Sequence, residues 1–136
     1  MVEYEVPPCR GNLIAKESSL DSASCRFTLR HELRTIDTLR IPRTHKRFLG
    51  INATVTLVHA LPHCHAPTCE SLELYDGHGA LLCRIVAKYG LPDYFIRLDP
   101  CMWGDASEGL PMPPVLPLFG PYAKLVMVKV HTHARA

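Results

Sequence analysis

The pattern of apolar and polar positions along the chain is typical of β-strands. The longest strand-like run, residues 51–58, is rich in β-branched and small side chains, which suit a pleated, half-buried surface. If this strand continues past Pro62, alternation gives one face a shared set of side chains: Ile51, Ala53, Val55, Leu57, His59, Leu61, His63 and His65. We therefore expect the rings of His63 and His65 to lie side by side at the strand end.

Further segments carry strand patterns, and a tight turn connects two of them. The predicted strands are residues 26–30, 71–75, 80–86, 94–98 and 122–130. Asp76-Gly77 is a hairpin signal, because glycine tolerates the positive φ that tight turns need. Residues 31–41 fit either a helical turn or a strand ending at Pro42, and the neighbouring strands favour the strand.

The remaining segments indicate loops and set the fold class. Residues 42–47 are predicted to be a basic loop, and residues 101–121, rich in Pro and Gly, a long irregular one. Short strands with turn residues between them, in a chain with 12 prolines, predict an all-β fold. We expect one antiparallel β-sandwich or jelly roll with long Pro-rich loops over residues 1–136, in which residues 1–24 form an N-terminal arm.

Composition narrows the function classes. The chain is 47% hydrophobic and 21% charged, which is typical of a folded globular domain. Its net charge is +2 and its basic residues are dispersed, so we expect no nucleic-acid partner. There is no apolar run of about 18 residues, so we expect no membrane span.

The cysteine count bears on the cellular compartment. Six cysteines can form three disulfides in an extracellular domain or stay reduced in a cytosolic one. Asn52-Ala53-Thr54 is a glycosylation sequon, although it lies inside a predicted strand. We expect an extracellular or secretory-pathway location, even though the first residues show no signal-peptide pattern.

The densest group of candidate ligands is the segment 59–69, with three histidines and two cysteines. The spacing of His63 and His65 on a strand is suited to giving one metal ion two imidazole nitrogens. Further donors are expected from His59 or from the last strand, where one face carries Met127, His131 and His133. A thioether beside imidazoles favours copper over zinc. The alternative is that the histidines are solvated and the methionine fills the core.

The cysteines of this segment have two alternative roles. With His63 and His65, Cys64 and Cys69 can form a structural zinc site, although their spacing is wider than usual. Alternatively, one of them forms a disulfide with Cys83, Cys101 or Cys25.

The order of these features resembles a known enzyme domain. A strand that ends in His63-Cys64-His65 is followed by residues 71–75, the Asp76-Gly77 hairpin and Leu81-Leu82-Cys83-Arg84, and is preceded by Thr38-Leu39-Arg40-Ile41-Pro42. Over residues 37–98 this resembles the C-terminal domain of the copper type II, ascorbate-dependent monooxygenases, the peptidylglycine and dopamine hydroxylases.

The resemblance implies an antiparallel β-sandwich in which His63 and His65 hold copper. It also implies a later methionine ligand, for which Met127 is the candidate, and a small-molecule or peptide substrate. The family holds a second copper with a His-His motif that this chain lacks, so hydroxylation by this chain alone is not expected. The sequence leaves three hypotheses: a copper-binding domain, a non-catalytic disulfide-bonded interaction domain, and a structural zinc domain.

Overall fold

The structure is a computed structural model that describes residues 25–39, 46, 48–65, 68–90 and 95–133, and this part of the chain is mostly β. Its strands are β1 (Cys25–Arg34), β2 (Thr54–Thr56), β3 (His59–Ala60), β4 (Cys69–Tyr75), β5 (Leu81–Val86), β6 (Lys88–Gly90), β7 (Phe95–Arg97), β8 (Cys101–Met102), β9 (Val115–Pro117) and β10 (Lys124–His133). Two 3-10 helices, Thr35–Thr38 and Ala106–Glu108, interrupt them. No helix in these ranges is long and apolar enough to cross a bilayer.

One four-stranded antiparallel sheet organises the domain, in the order β1-β10-β4-β5. Three two-stranded antiparallel ribbons accompany it: β2 with β9, β3 with β8, and β6 with β7. The last strand therefore lies at the centre of the main sheet, between β1 and β4.

The β4–β5 hairpin confirms the sequence prediction. The Asp76 carboxylate accepts the backbone N–H groups of His78 and Ala80, each at 2.9 Å, and thereby holds the turn. The positive φ of this turn, 84°, belongs to Gly79. Gly77 is required for a different reason, because a Cβ there would lie 2.0 Å from the Tyr122 carbonyl oxygen.

Two clusters of buried residues lie on one face of the main sheet. One cluster contains Cys64, Cys69 and Leu72, and a second contains Ile85, Cys101 and Trp103. Leu98 packs against both clusters and thereby connects them. As expected for a single large aromatic residue, Trp103 is buried, with 6% of its surface exposed.

The opposite face of the sheet carries several ion pairs. Arg26 pairs with Glu70, and Arg84 lies 3.6 Å from Glu73. Glu32 accepts from both Arg30 and Lys124. These charged side chains flank the valines of β10, of which Val126 and Val130 are buried.

Three sequence predictions are corrected. The predicted strand over 51–58 is limited to β2, followed by the separate short β3, so it does not continue through Pro62. The predicted loop over 101–121 contains β8, a 3-10 helix and β9, because this segment pairs with β3 and β2. In the segment 31–41, the strand ends at Arg34 and a 3-10 helix follows. The predicted N-terminal arm and most of the basic loop lie outside the described residues.

Candidate metal centre

The histidine pair lies in the segment that connects β3 to β4. The strand β3 ends at Ala60, and the chain then carries His63, Cys64 and His65 before it enters β4 at Cys69. Cys64 is buried, with 6% of its surface exposed, whereas both flanking histidines are exposed. Because the central side chain points into the core, its two neighbours point outward together.

The two imidazoles converge. Their Nε2 atoms are 2.8 Å apart, and the ring centroids are 4.8 Å apart with an interplanar angle of 75°. Two nitrogens bound to one ion at about 2.0–2.1 Å are separated by about 2.8–3.4 Å for bond angles between 90° and tetrahedral. The observed separation is that of a hydrogen bond between the two ring nitrogens, and it equals the lower limit of the range for two ligands of a single ion.

A disulfide between Cys64 and Cys69 fixes the base of this pair. The Cα atoms of the two cysteines are 5.9 Å apart, and the Cys69 N–H donates to the His65 carbonyl oxygen at 3.1 Å. The sulfur atoms pack with Leu72 in the core. The loop that carries the imidazoles is thus attached to the first residue of β4 by a covalent bond and by a backbone hydrogen bond.

Hydrogen bonds from neighbouring strands hold Cys69 and the two residues beside it, Thr68 and Glu70. The Tyr89 hydroxyl donates to the Cys69 carbonyl oxygen, and burial raises the pKa of Tyr89. Thr68 accepts the N–H of Thr132 through its carbonyl oxygen at 2.8 Å. The Thr132 hydroxyl donates to Glu70 at 2.7 Å. No sequence pattern pointed to Tyr89 or Thr68, since their roles depend on strand pairing.

The donors expected from the last strand lie on β10, which pairs with β1 and β4. Met127 packs against the cluster that contains the disulfide, and therefore lies beneath the loop. His131 is buried, with 4% of its surface exposed, and its Nδ1 lies 3.1 Å from the Thr68 hydroxyl. His133 pairs with Cys25 at the end of β10. Within the described ranges, no three His, Cys, Asp or Glu side chains are grouped closely enough to hold a metal ion.

The cysteine pairing corrects the expected disulfide partners. Cys64 and Cys69 bond to each other, and Cys83 bonds to Cys101, so neither of the first two is linked to Cys83, Cys101 or Cys25. Sulfur atoms in a disulfide are not thiolates, and thiolates are what zinc requires from cysteine. The four-ligand set of Cys64, Cys69, His63 and His65 is therefore not available in this form of the protein.

Comparison with known proteins adds no family to this description. No family model, no curated protein and no solved structure matches the chain. The function is therefore argued from the geometry of the residues themselves.

Proposed function

We propose that this chain is a disulfide-stabilised β domain that binds a copper ion through the imidazoles of His63 and His65. The observation that carries the proposal is the 2.8 Å separation of the two Nε2 atoms. An ion bound by both nitrogens takes the place of the hydrogen bond between them.

The loop's attachment to the core supports the proposal. A pair of exposed side chains normally loses rotamer freedom when it closes on a ligand, at a cost in free energy. Here Cys64 is immobilised between the two histidines by its bond to Cys69. The entropy that the loop loses on metal binding is correspondingly smaller.

The donor set favours copper among divalent ions. With both local cysteines in a disulfide, the available donors are imidazole nitrogens. Imidazole binds zinc, copper, iron and nickel, and in the general affinity order copper is bound most tightly. Two protein nitrogens leave other coordination positions for water or for a substrate atom. Zinc at the same pair is the alternative ion.

The finer features of the fold and setting are part of the same proposal. Contacts of Ile85, in the main sheet, with Trp103 and Cys101 support a second layer, as in a sandwich or jelly roll. Two disulfides support an extracellular or secretory-pathway location. Through its resemblance to the hydroxylase domain, the proposal extends to a domain that is part of, or derived from, a copper-dependent oxidoreductase that acts on a small molecule or peptide.

A titration of the full chain with Cu(II) tests the proposal. We expect the wild type to bind one equivalent against a competing chelator, and the double variant His63→Ala with His65→Ala to lose this binding while its circular dichroism is unchanged. His78→Ala is the matched control, because His78 is also exposed but stacks on Tyr122. Unchanged copper uptake in the double variant contradicts the proposal.

The second candidate function is a non-catalytic interaction domain. Several large apolar side chains are exposed, among them Ile51 at 84% and Met112 at 87%. Exposed apolar groups of this kind occur at protein contact sites, and the two disulfides suit a secreted module. A melting temperature that does not respond to copper, together with no copper uptake, favours this function over the first.

A further inference from the structure

The ribbon formed by β3 and β8 has an inner and an outer face. Ala60 pairs with Cys101, and both contact the core cluster that contains Trp103. His59 pairs with Met102, and both are exposed, Met102 at 45%. Alternation along two short strands thus places an imidazole and a thioether together on the solvent side.

The backbone hydrogen bonds define how close these two side chains are. The Trp103 N–H donates to the Val58 carbonyl oxygen at 3.0 Å, so the bond joins the residues that flank the pair. This pattern marks His59 and Met102 as a non-hydrogen-bonded pair, in which the Cα atoms are about 4.5 Å apart and the side chains are closest. The Cβ atoms of such pairs are about 4.5–5.5 Å apart. One ion can therefore bridge the imidazole and the thioether.

The ribbon is fixed on both sides. Cys101 is bonded to Cys83 of β5, which attaches β8 to the edge of the main sheet. The Leu57 N–H donates to the Pro114 carbonyl oxygen at 3.0 Å, immediately before β3. The two strands therefore hold His59 opposite Met102 without a bound ligand.

We propose that His59 and Met102 form a second metal site, which takes a soft monovalent ion such as Cu(I). Thioether sulfur is a soft ligand that selects Cu(I), and imidazole is an accepted partner donor. His59 lies opposite Met102 on the β3–β8 ribbon, whereas His63 and His65 lie in the segment that follows β3. The second site is independent of the first and differs from it in metal preference.

Silver(I), a redox-stable ion with the same softness, is the probe. The full chain, with its four methionines labelled at the methyl carbon, is titrated with Ag(I) and followed by NMR. We expect the Met102 methyl signal to shift first and to saturate at one equivalent. His59→Ala removes one of two donors and should weaken this response at least tenfold.

Two controls distinguish this site from the histidine pair and from Ag(I) binding to any exposed methionine. Met112 is 87% exposed, so Met112→Leu is the matched variant and should leave the Met102 response unchanged. The double variant His63→Ala with His65→Ala should also leave it unchanged, whatever the outcome of the Cu(II) titration. A Met112 signal that shifts before that of Met102, or a Met102 response that His59→Ala does not weaken, overturns the proposal.

Discussion

The two glycines of the β4–β5 turn differ in what they contribute. Gly79 adopts a φ of 84° and has open space where a Cβ would be. Gly77 has no such backbone requirement, but its Cα faces the backbone of Tyr122. The sequence predicted the turn from Asp76-Gly77, yet it could not show that Gly77 is needed for packing, because Tyr122 is distant along the chain.

Alanine at each of these glycines should therefore have a different cost. Gly77→Ala places a methyl group against fixed backbone atoms, and we expect a loss of about 3 kcal/mol in the free energy of unfolding. Gly79→Ala adds only the strain of a left-handed conformation, about 1 kcal/mol. Urea denaturation measures both. A larger loss for Gly79→Ala than for Gly77→Ala contradicts this account of the turn.

The histidine pair shows what sequence spacing can and cannot predict. Alternation along a strand predicted that the rings of His63 and His65 meet, and in the structure their Nε2 atoms are in contact. The cause differs from the expected one, since the residues lie after β3 and are oriented by the buried Cys64. Disulfide connectivity is not encoded in cysteine spacing, so this part could not be predicted.

At the scale of elements, the alternation of apolar and polar residues predicted two kinds of strand. These include the strands of the β4–β5 hairpin, which are adjacent in sequence, and the long strand β10. The same pattern missed β6, which follows β5 after a single residue. It also missed β8 and β9, which are two and three residues long. Such strands exist because the segment 101–117 runs back along residues 54–60. A Pro- and Gly-rich sequence does not indicate this pairing, because strands of two or three residues are too short to show alternation and their hydrogen bonds involve only backbone groups.

The β6–β7 ribbon offers a test by pH. Asp99 accepts from Lys88 at 2.9 Å and from Arg97 at 2.8 Å, and these bonds, that from Lys88 first, hold the pKa of Asp99 below its usual value. A lowered pKa in the folded state stabilises the protein above the unfolded pKa of about 4, and this contribution is lost as the pH falls through the folded value. The carboxylate therefore supports the fold at neutral pH and loses this role in acid.

Asp99→Asn should accordingly lower the free energy of unfolding at pH 7 and have little effect at about pH 2. Because the partners are exposed, the difference at pH 7 should be small and should shrink further in about 1 M salt. Urea denaturation of both proteins at the two pH values measures this. A difference that grows on acidification contradicts the assigned ion pairs.

At the scale of the whole molecule, the two disulfides perform different tasks. The Cys83–Cys101 bond joins residues 18 apart and ties the main sheet to the β3–β8 ribbon. The Cys64–Cys69 bond joins residues 5 apart and orients the histidine loop. The entropy of loop closure depends on the length of the loop, so the first should contribute more to stability.

Replacing each pair of cysteines by alanine should affect stability and copper affinity differently. The variant that loses more stability should lose less copper affinity. Loss of the Cys83–Cys101 bond should cost about 3 kcal/mol and loss of the Cys64–Cys69 bond about 2 kcal/mol in the free energy of unfolding. Copper affinity at the histidine pair should fall more in the Cys64→Ala with Cys69→Ala variant. Denaturation of both variants measures the loss in the free energy of unfolding, and Cu(II) titration measures the loss in copper affinity. Equal copper affinities would show that the short disulfide does not orient the imidazoles.

The central claim is that one ion is shared by the imidazoles of His63 and His65. Pulsed electron paramagnetic resonance of the chain with one equivalent of Cu(II) tests it most directly, because the method counts the imidazoles bound to copper. The account predicts two bound imidazoles in the wild type, one in His63→Ala and one in His65→Ala. Two bound imidazoles in both single variants, or none in the wild type, would contradict it.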